Sequence, residues 1–383
     1  MTGAIKKFNP MEVKMKEKKP FDFWLFMTVL IMLSLGLIMV FSASAPTAEK
    51  DYHDIYHIIK NQLLYAVIGI VVMLFAANYD FRKYGPKTVV GLMGGSLILL
   101  FLVLIPGIGR EINGSWRWIY LGPLHFQPSE LAKLSLILFM AYSLSKRKKA
   151  LNSFFSDFVP YLLLIGLTAG LLMLETHLSA TIIICSMSFI ILFAAGAKIR
   201  HFLIISLPAV AAFSAIIMFT DYMTSRIRSF IDPWSDLQGE GWQTVQSLYA
   251  IGSGGIFGRG LGQSMQKFLY IPEPHNDYIF SILAEELGYI GVLAVLLLFL
   301  IFIWRGIKIA MNAPDVYSSL IATGITALIA VQSLFNVAVV SKMVPPTGVS
   351  LPFFSSGGSS LVLFLLEVGI LLNISRYSDY ERI

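Results

Sequence analysis

Ten stretches of this chain are almost free of charge over lengths close to the roughly 20 helical residues that cross about 30 Å of hydrocarbon. They are residues 23–41, 61–79, 88–105, 128–144, 158–174, 178–197, 202–219, 277–303, 316–340 and 359–374. Transmembrane barrel strands would be near ten residues long with alternating polarity. The spacing therefore predicts an all-α polytopic membrane protein with ten transmembrane helices, the 383 residues forming a single membrane domain. Charged residues make up 14% of the chain, against about 25% in soluble domains, which excludes a water-soluble globular protein. The single cysteine, Cys185, lies inside an apolar run, so neither an internal disulfide nor a Cys-based metal cage can form.

The first span is followed by Ser42, Ala43, Ser44 and Ala45, small residues of the kind that precede a signal-peptide cut. Its apolar core is longer than the 7–15 residues of a signal peptide, and nine more spans follow, so it reads as a retained helix. Basic residues stay on the cytoplasmic side of a membrane. With residues 1–22 as a cytoplasmic tail, nineteen of the 29 Lys and Arg fall inside and nine outside, with Lys133 within a span. Both termini, including the tail 375–383, are therefore expected in the cytoplasm. The formal net charge of +6 follows from this topology and needs no nucleic-acid partner. The tryptophans at positions 24, 116, 118, 234, 242 and 304 all fall at span ends or in loops, as in an interfacial aromatic belt contacting membrane lipids.

On this frame the cytoplasmic connections are short, and three outer segments are long: 106–127, 220–276 and 341–358. Long loops on one side are where function concentrates. The largest, 220–276 between the seventh and eighth spans, is too short for a comfortable independent domain and should pack on the membrane face as short helices and turns. Its glycine-rich run 252–262 is not a dinucleotide fingerprint, because no strand and helix of a βαβ unit surround it. Segment 343–360 holds three prolines, which forbid a continuous helix. It reads as a re-entrant or cavity-lining loop. Ser355, Gly357 and Gly358 would then open the tenth helix, where free N–H groups can bind an anion; ordinary Gly/Ser capping is the other reading.

Ionisable residues within spans are costly and point to function. Glu130 and Lys133 share a helix face and can pair, with structural and functional roles both open. Glu367 lies in the last span. Glu285 falls about 80° around and about 12 Å deeper than Asp277 on one helix, within reach of a shared cleft, while Glu286 faces another partner. Both glutamates read more simply as structural. Asp277 differs: at the water boundary, at a helix start, a carboxylate stays ionised and can meet a lipid head group.

Taken in order, several motifs resemble one family, the SEDS (shape, elongation, division, sporulation) proteins with branches FtsW, RodA and SpoVE. They are 113–122 (NGSWRWIYLG), 127–130 (QPSE) with Lys133, 232–234 (DPW), 241–243 (GWQ) with Gln246 and Ser247, and 258–262 (GRGLG). They continue through 272–277 (PEPHND), 285–288 (EELG), Asn336 and Val337, and 346–360 (PTGVSLPFFSSGGSS). There are departures: residues 176–179 read Thr-His-Leu-Ser where the family often has Pro-Asp-x-Gly, so no role is carried to His177. Tyr278 stands where Phe is usual, and Ser356 where Tyr is.

The resemblance implies a peptidoglycan glycosyltransferase polymerising lipid II at the outer face of the bacterial plasma membrane, with Asp277 catalytic and a class B penicillin-binding protein as transpeptidase partner. Asp277 would take a proton from the acceptor GlcNAc 4-hydroxyl, which attacks the donor MurNAc anomeric carbon as undecaprenyl diphosphate leaves. Arg117, Arg226, Arg228 and Arg259 are candidates to clamp the diphosphate. Trp118 and His275, inside the matching motifs, join Glu130, Lys133 and Glu285 as candidates for substrate contact. The sequence identifies no cofactor and leaves metal dependence open; a divalent cation, Mg or Mn, could replace one arginine, though no ligand cluster is legible. The competing reading is a lipid II flippase or other transporter, which should carry inverted repeats and helices interrupted at the midplane. A non-catalytic scaffold would need no acid at 277.

Overall fold

A computed structural model describes residues 19–83, 85–112, 115–121, 124–147, 151–219, 221–235, 240–268 and 270–378. Most of both predicted tails lies outside these. The chain is largely helical: α1 (Phe23–Tyr52), α2 (His57–Asn78), α3 (Pro86–Leu102), α4 (Pro128–Ser145), α5 (Val159–Leu174), α6 (Leu178–Ala194), α7 (Ile199–Phe219), α8 (Asp221–Ile231), α9 (Glu240–Ser253), α10 (Ile279–Met311), α11 (Val316–Val340) and α12 (Gly358–Ser375). Six helices are long and apolar enough to cross a membrane, and three shorter apolar helices accompany them among the described residues.

Helix α1 outruns its predicted span. Its 30 residues reach about 45 Å, longer than the hydrocarbon is thick. Asp22 starts it by accepting from the Leu25 amide at 3.0 Å, and residues 42–45 are helical within it. Helices α4, α11 and α12 are the most enclosed. Helix α12 lies along α2, with Gly69 and Gly369 permitting backbone-distance approach to Leu365 and Met73. The outer flanks of α2, α5 and α10 expose Val71, Phe75, Leu163, Leu297 and Leu300, an arrangement suited to lipid. At one end of the bundle, buried Asp22 takes an ion pair from Arg305 (2.5 Å) and donates its amide to Ser375 Oγ (2.9 Å). This closes α1, α10 and α12 on one another.

Two features depart from the expected all-α plan, and a third follows it. Residues 106–127 form a three-stranded antiparallel sheet, β1 (Gly109–Ile112), β2 (Ser115–Leu121) and β3 (Leu124–Phe126), in sequential order. The alternating aromatic and β-branched residues of 115–121 carry the period-2 strand signal that a search for helical spans passes over. Second, and as expected, the described residues of 220–276 form short helices, α8 and α9, followed by turns. Third, the eighth predicted span is not one helix. Gly288 has φ 66° and ψ −166°, which breaks α10 in its first third.

The glycine-rich run fills that break. Arg259 and Gly260 amides donate to the Glu285 and Glu286 carbonyls (2.9 and 3.0 Å), and Tyr289 and Ile290 amides donate to Gly255 and Ile256 (2.9 and 3.2 Å). An interrupted helix at membrane depth is tolerated where protein satisfies its freed backbone, and here one segment supplies both donors and acceptors. Gly258, with φ 79°, and Gly288 meet backbone to backbone; a Cβ on either would collide with the other strand.

Candidate active site

At one end of the bundle, the starts of α2, α4, α6 and α12, the end of α1, strand β2, helix α8 and the turn ahead of α10 enclose a cavity of about 810 Å³. Arg117, Trp118, Glu130, Lys133, Arg226, His275 and Asp277 line it, as do Gly357 and Gly358. The expected residues come together there from five separate elements.

Asp277 lies in the turn before α10, two residues short of the first helical position. The N-cap is Tyr278, with no side-chain capping bond, so the carboxylate is not a helix cap. Its backbone is laced to the proline-rich loop. Asn336 Nδ2 donates to the carbonyls of Asp277 (2.8 Å) and Val349 (2.6 Å). Ser355 Oγ donates to Asn276 O (2.7 Å), and Ser356 N to His275 O (2.8 Å). Loop 343–357 is non-helical, with Val349, Leu351, Phe353 and Phe354 buried, and Thr347, Gly348 and Ser350 on the cavity wall. The lining-loop expectation holds.

Burial pushes the Asp277 carboxyl up to about 6; Arg117 and Arg226 oppose this and Glu273 adds to it. A base whose proton affinity lies near neutral pH is still mostly ionised at pH 7 and strong enough to accept a proton. Arg117 is held by donation from Nη2 to Thr176 O (2.6 Å), and Arg226 by donation to Pro346 O. Both guanidiniums are thus fixed by neutral carbonyls, beside the acid. Burial holds His275 below the usual imidazole range, so it is neutral.

At the cavity floor Glu130 and Lys133 form a buried ion pair of 2.7 Å, and Lys133 also donates to Gln332 Oε1 (2.9 Å). Gln332 in turn donates to Ser350 of the loop (3.1 Å), so the pair supports the wall as well as lining the cavity. Among the described residues no three His, Cys, Asp or Glu side chains converge as metal ligands.

Four expected residues lie elsewhere. Glu285 does not share the cleft with Asp277: the helix geometry used to place it fails because Asp277 precedes the helix. Its carboxylate instead accepts from Ser264 Oγ (2.5 Å) and the amides of Met265 (2.9 Å) and Gln266 (3.3 Å). Arg259, 41% exposed, is turned toward Glu285 Oε1 at 3.7 Å and away from the cavity. Arg228 is exposed, because two residues along a helix put it on the opposite face from Arg226. Ser355 sits behind the wall, its hydroxyl accepting from the Leu351 amide (2.7 Å). The helix-terminus anion reading also narrows, since the Gly357 amide is already given to Gln62 Oε1 (3.2 Å). Glu286 is structural, accepting from Ser42 Oγ (2.6 Å) and paired with Lys267 (2.9 Å).

Sequence reasoning missed other lining residues. His177 and Ser179, at the position that departs from the resembled pattern, face the cavity, as do Asn61, Gln62, Tyr65 and Gln243. Gln243 lies in the GWQ motif without having been singled out; the signal of the others was only a polar residue next to an apolar run.

The family model described as FtsW, RodA and SpoVE cell cycle protein matches residues 23–380. Stage V sporulation protein E of Bacillus subtilis strain 168 is 45% identical over 359 residues, covering 94% of this chain and 98% of its own. A protein of Geobacter sp. strain M18 named "Probable peptidoglycan glycosyltransferase FtsW" is 41% identical, with 94% and 98% covered. Among solved structures, a chain of a peptidoglycan synthase complex, described for its coordination of polymerization and crosslinking, superposes with a TM-score of 0.78 at 30% identity, covering 94% of this chain and 99% of that one. Rod shape determining protein RodA of Thermus thermophilus superposes at 0.69 and 28% identity, with 94% and 98% covered.

Proposed function

Because the chain belongs to the FtsW, RodA and SpoVE family of cell cycle proteins, we infer that it is a multi-pass membrane peptidoglycan glycosyltransferase whose substrate is lipid II. The observation that carries this reading is the placement of Asp277, with its carboxyl at about 6, on the wall of a cavity that also holds Arg117 and Arg226. Asp277 accepts the proton of an acceptor sugar hydroxyl as that oxygen attacks the donor anomeric carbon. The bond to the diphosphate oxygen breaks, and undecaprenyl diphosphate leaves with its charge met by the arginines.

Purified protein given lipid II in detergent should make glycan strands, with a rate that falls about tenfold per pH unit below about pH 6 as Asp277 takes up a proton. The base must be ionised to act, so the loss lies on the acid side. No strands, with lipid scrambling in vesicles, would instead establish the flippase. The α10 break does not favour that alternative. Gly288 is off-centre, its freed backbone is filled by residues 255–260, and it does not line the cavity.

The full ten-span topology, with both termini inside and segment 220–276 outside, is supported by the Lys/Arg asymmetry and places the cavity at the outer membrane face. Labelling of single cysteines in intact cells should reach position 235 and miss position 145; the reverse would overturn this orientation. A class B penicillin-binding protein is the partner we favour, supported by the similarity to a chain from a synthase complex. It would dock through transmembrane helices.

A further inference from the structure

We propose that His177 contacts substrate in this cavity, its imidazole N–H donating to the diphosphate oxygens of the lipid-linked sugar beside Arg117; this rests on the glycosyltransferase reading above. His177 lines the cavity, is only 6% exposed, and has no hydrogen-bond partner for Nδ1 among the described residues. Buried polar atoms without partners are rare in folded proteins, and one on a cavity wall points to a ligand that supplies the missing bond.

The turn that carries His177 is fixed. Its amide donates to Leu172 O (2.9 Å), and Thr176, at φ 56°, bonds through Oγ1 to Ser115 Oγ (2.8 Å). The same Thr176 offers its carbonyl to Arg117. Strand β2 and the α5–α6 turn are therefore bolted together, with guanidinium and imidazole on one wall.

The charges around them favour an anion. Burial, with Arg117 and Lys133 nearby, holds His177 well below the usual imidazole range, so it is uncharged and keeps one N–H donor. Burial lifts Glu175, whose two carboxyl oxygens also lack partners among the described residues, to about 9. It is protonated at neutral pH and so adds no negative charge beside Arg117. A carboxylate at 177 would add a negative charge to this wall; an imidazole does not.

The full-length protein in detergent, titrated with farnesyl diphosphate and with farnesol as control, separates substrate contact from a filler role. His177→Ala should weaken farnesyl diphosphate about tenfold or more and leave farnesol unchanged, the usual scale for a lost hydrogen bond to a charged group. His177→Gln, which keeps an N–H donor, should recover to within about threefold, and His177→Asp, which sets a negative charge against the phosphate, should fall furthest. The same order should appear in the KM for lipid II more than in kcat. If Ala does not fold, Gln against Asp makes the comparison. Parental affinity in a folded Ala variant, Gln and Asp variants of equal affinity, or no diphosphate binding by a parent that polymerises lipid II, would each overturn the proposal. A parent that makes no glycan strands would overturn the glycosyltransferase reading instead.

Discussion

Asp277→Asn is expected to remain folded and in the membrane yet to lose lipid II polymerisation by at least about a hundredfold, the lower end of what a general base contributes. The substitution preserves shape and removes only the capacity to accept a proton. The backbone contacts that hold Asp277 in place do not involve its charge. Helix α10 takes its N-cap from Tyr278 without a side-chain bond, and the Asp277 backbone is held by Asn336. The sign of the stability effect is also defined. An acid whose folded pKa is raised to about 6 from 3.8 is penalised when ionised, and that penalty develops as pH rises through this window. A neutral Asn avoids it, so thermal unfolding of the variant at pH 7 should occur no lower than in the parent. Gel analysis of glycan products together with a melting curve checks both halves. A variant that polymerises at near the parental rate would remove Asp277 as the base.

Much of this architecture was legible because lipid enforces it. Every backbone group of a spanning segment must be satisfied within the protein, so spans announce themselves as long apolar runs. Lys133 and Asp277 were legible for the related reason that charge in or at the edge of a span is costly and seldom idle, and Arg117 and Arg226 because guanidinium suits the diphosphate that the resemblance implies. The misplaced residues have local causes. Glu285 was located by counting helical turns from Asp277, which precedes the helix, and its partners lie in residues 264–266; Arg259, chosen for its guanidinium, pairs instead with that same Glu285. A glycine in an apolar run carries no mark that says whether it continues a helix or breaks it. His177 was overlooked because it matched no motif. Only the folded turn shows that Nδ1 of a buried imidazole on the cavity wall lacks a hydrogen-bond partner among the described residues.

The Gly288 break yields the second large expected effect. Gly288→Ala should lower the yield and melting temperature of the protein sharply and reduce polymerisation by whatever remains folded. Gly252→Ala, in the same glycine-rich neighbourhood, should be nearly silent. At Gly288 the backbone occupies a region essentially reserved for glycine, which costs any other residue about 1–3 kcal/mol. A Cβ there would also lie 2.7 Å from Ile256 O and collide with the Gly258 amide nitrogen. Relief requires residues 255–260 to withdraw, and their departure strips the Glu285 and Glu286 carbonyls of their donors. The short helical piece that follows Asp277 would then lose its anchor at the far end, which is why activity should fall along with stability. A Cβ at Gly252 meets nothing within 4 Å, and that residue lies inside α9, where alanine favours the helix. Equal melting temperatures for the two variants would mean that the break is not held by glycine contact, and the anchoring role assigned to residues 255–260 would fall with it.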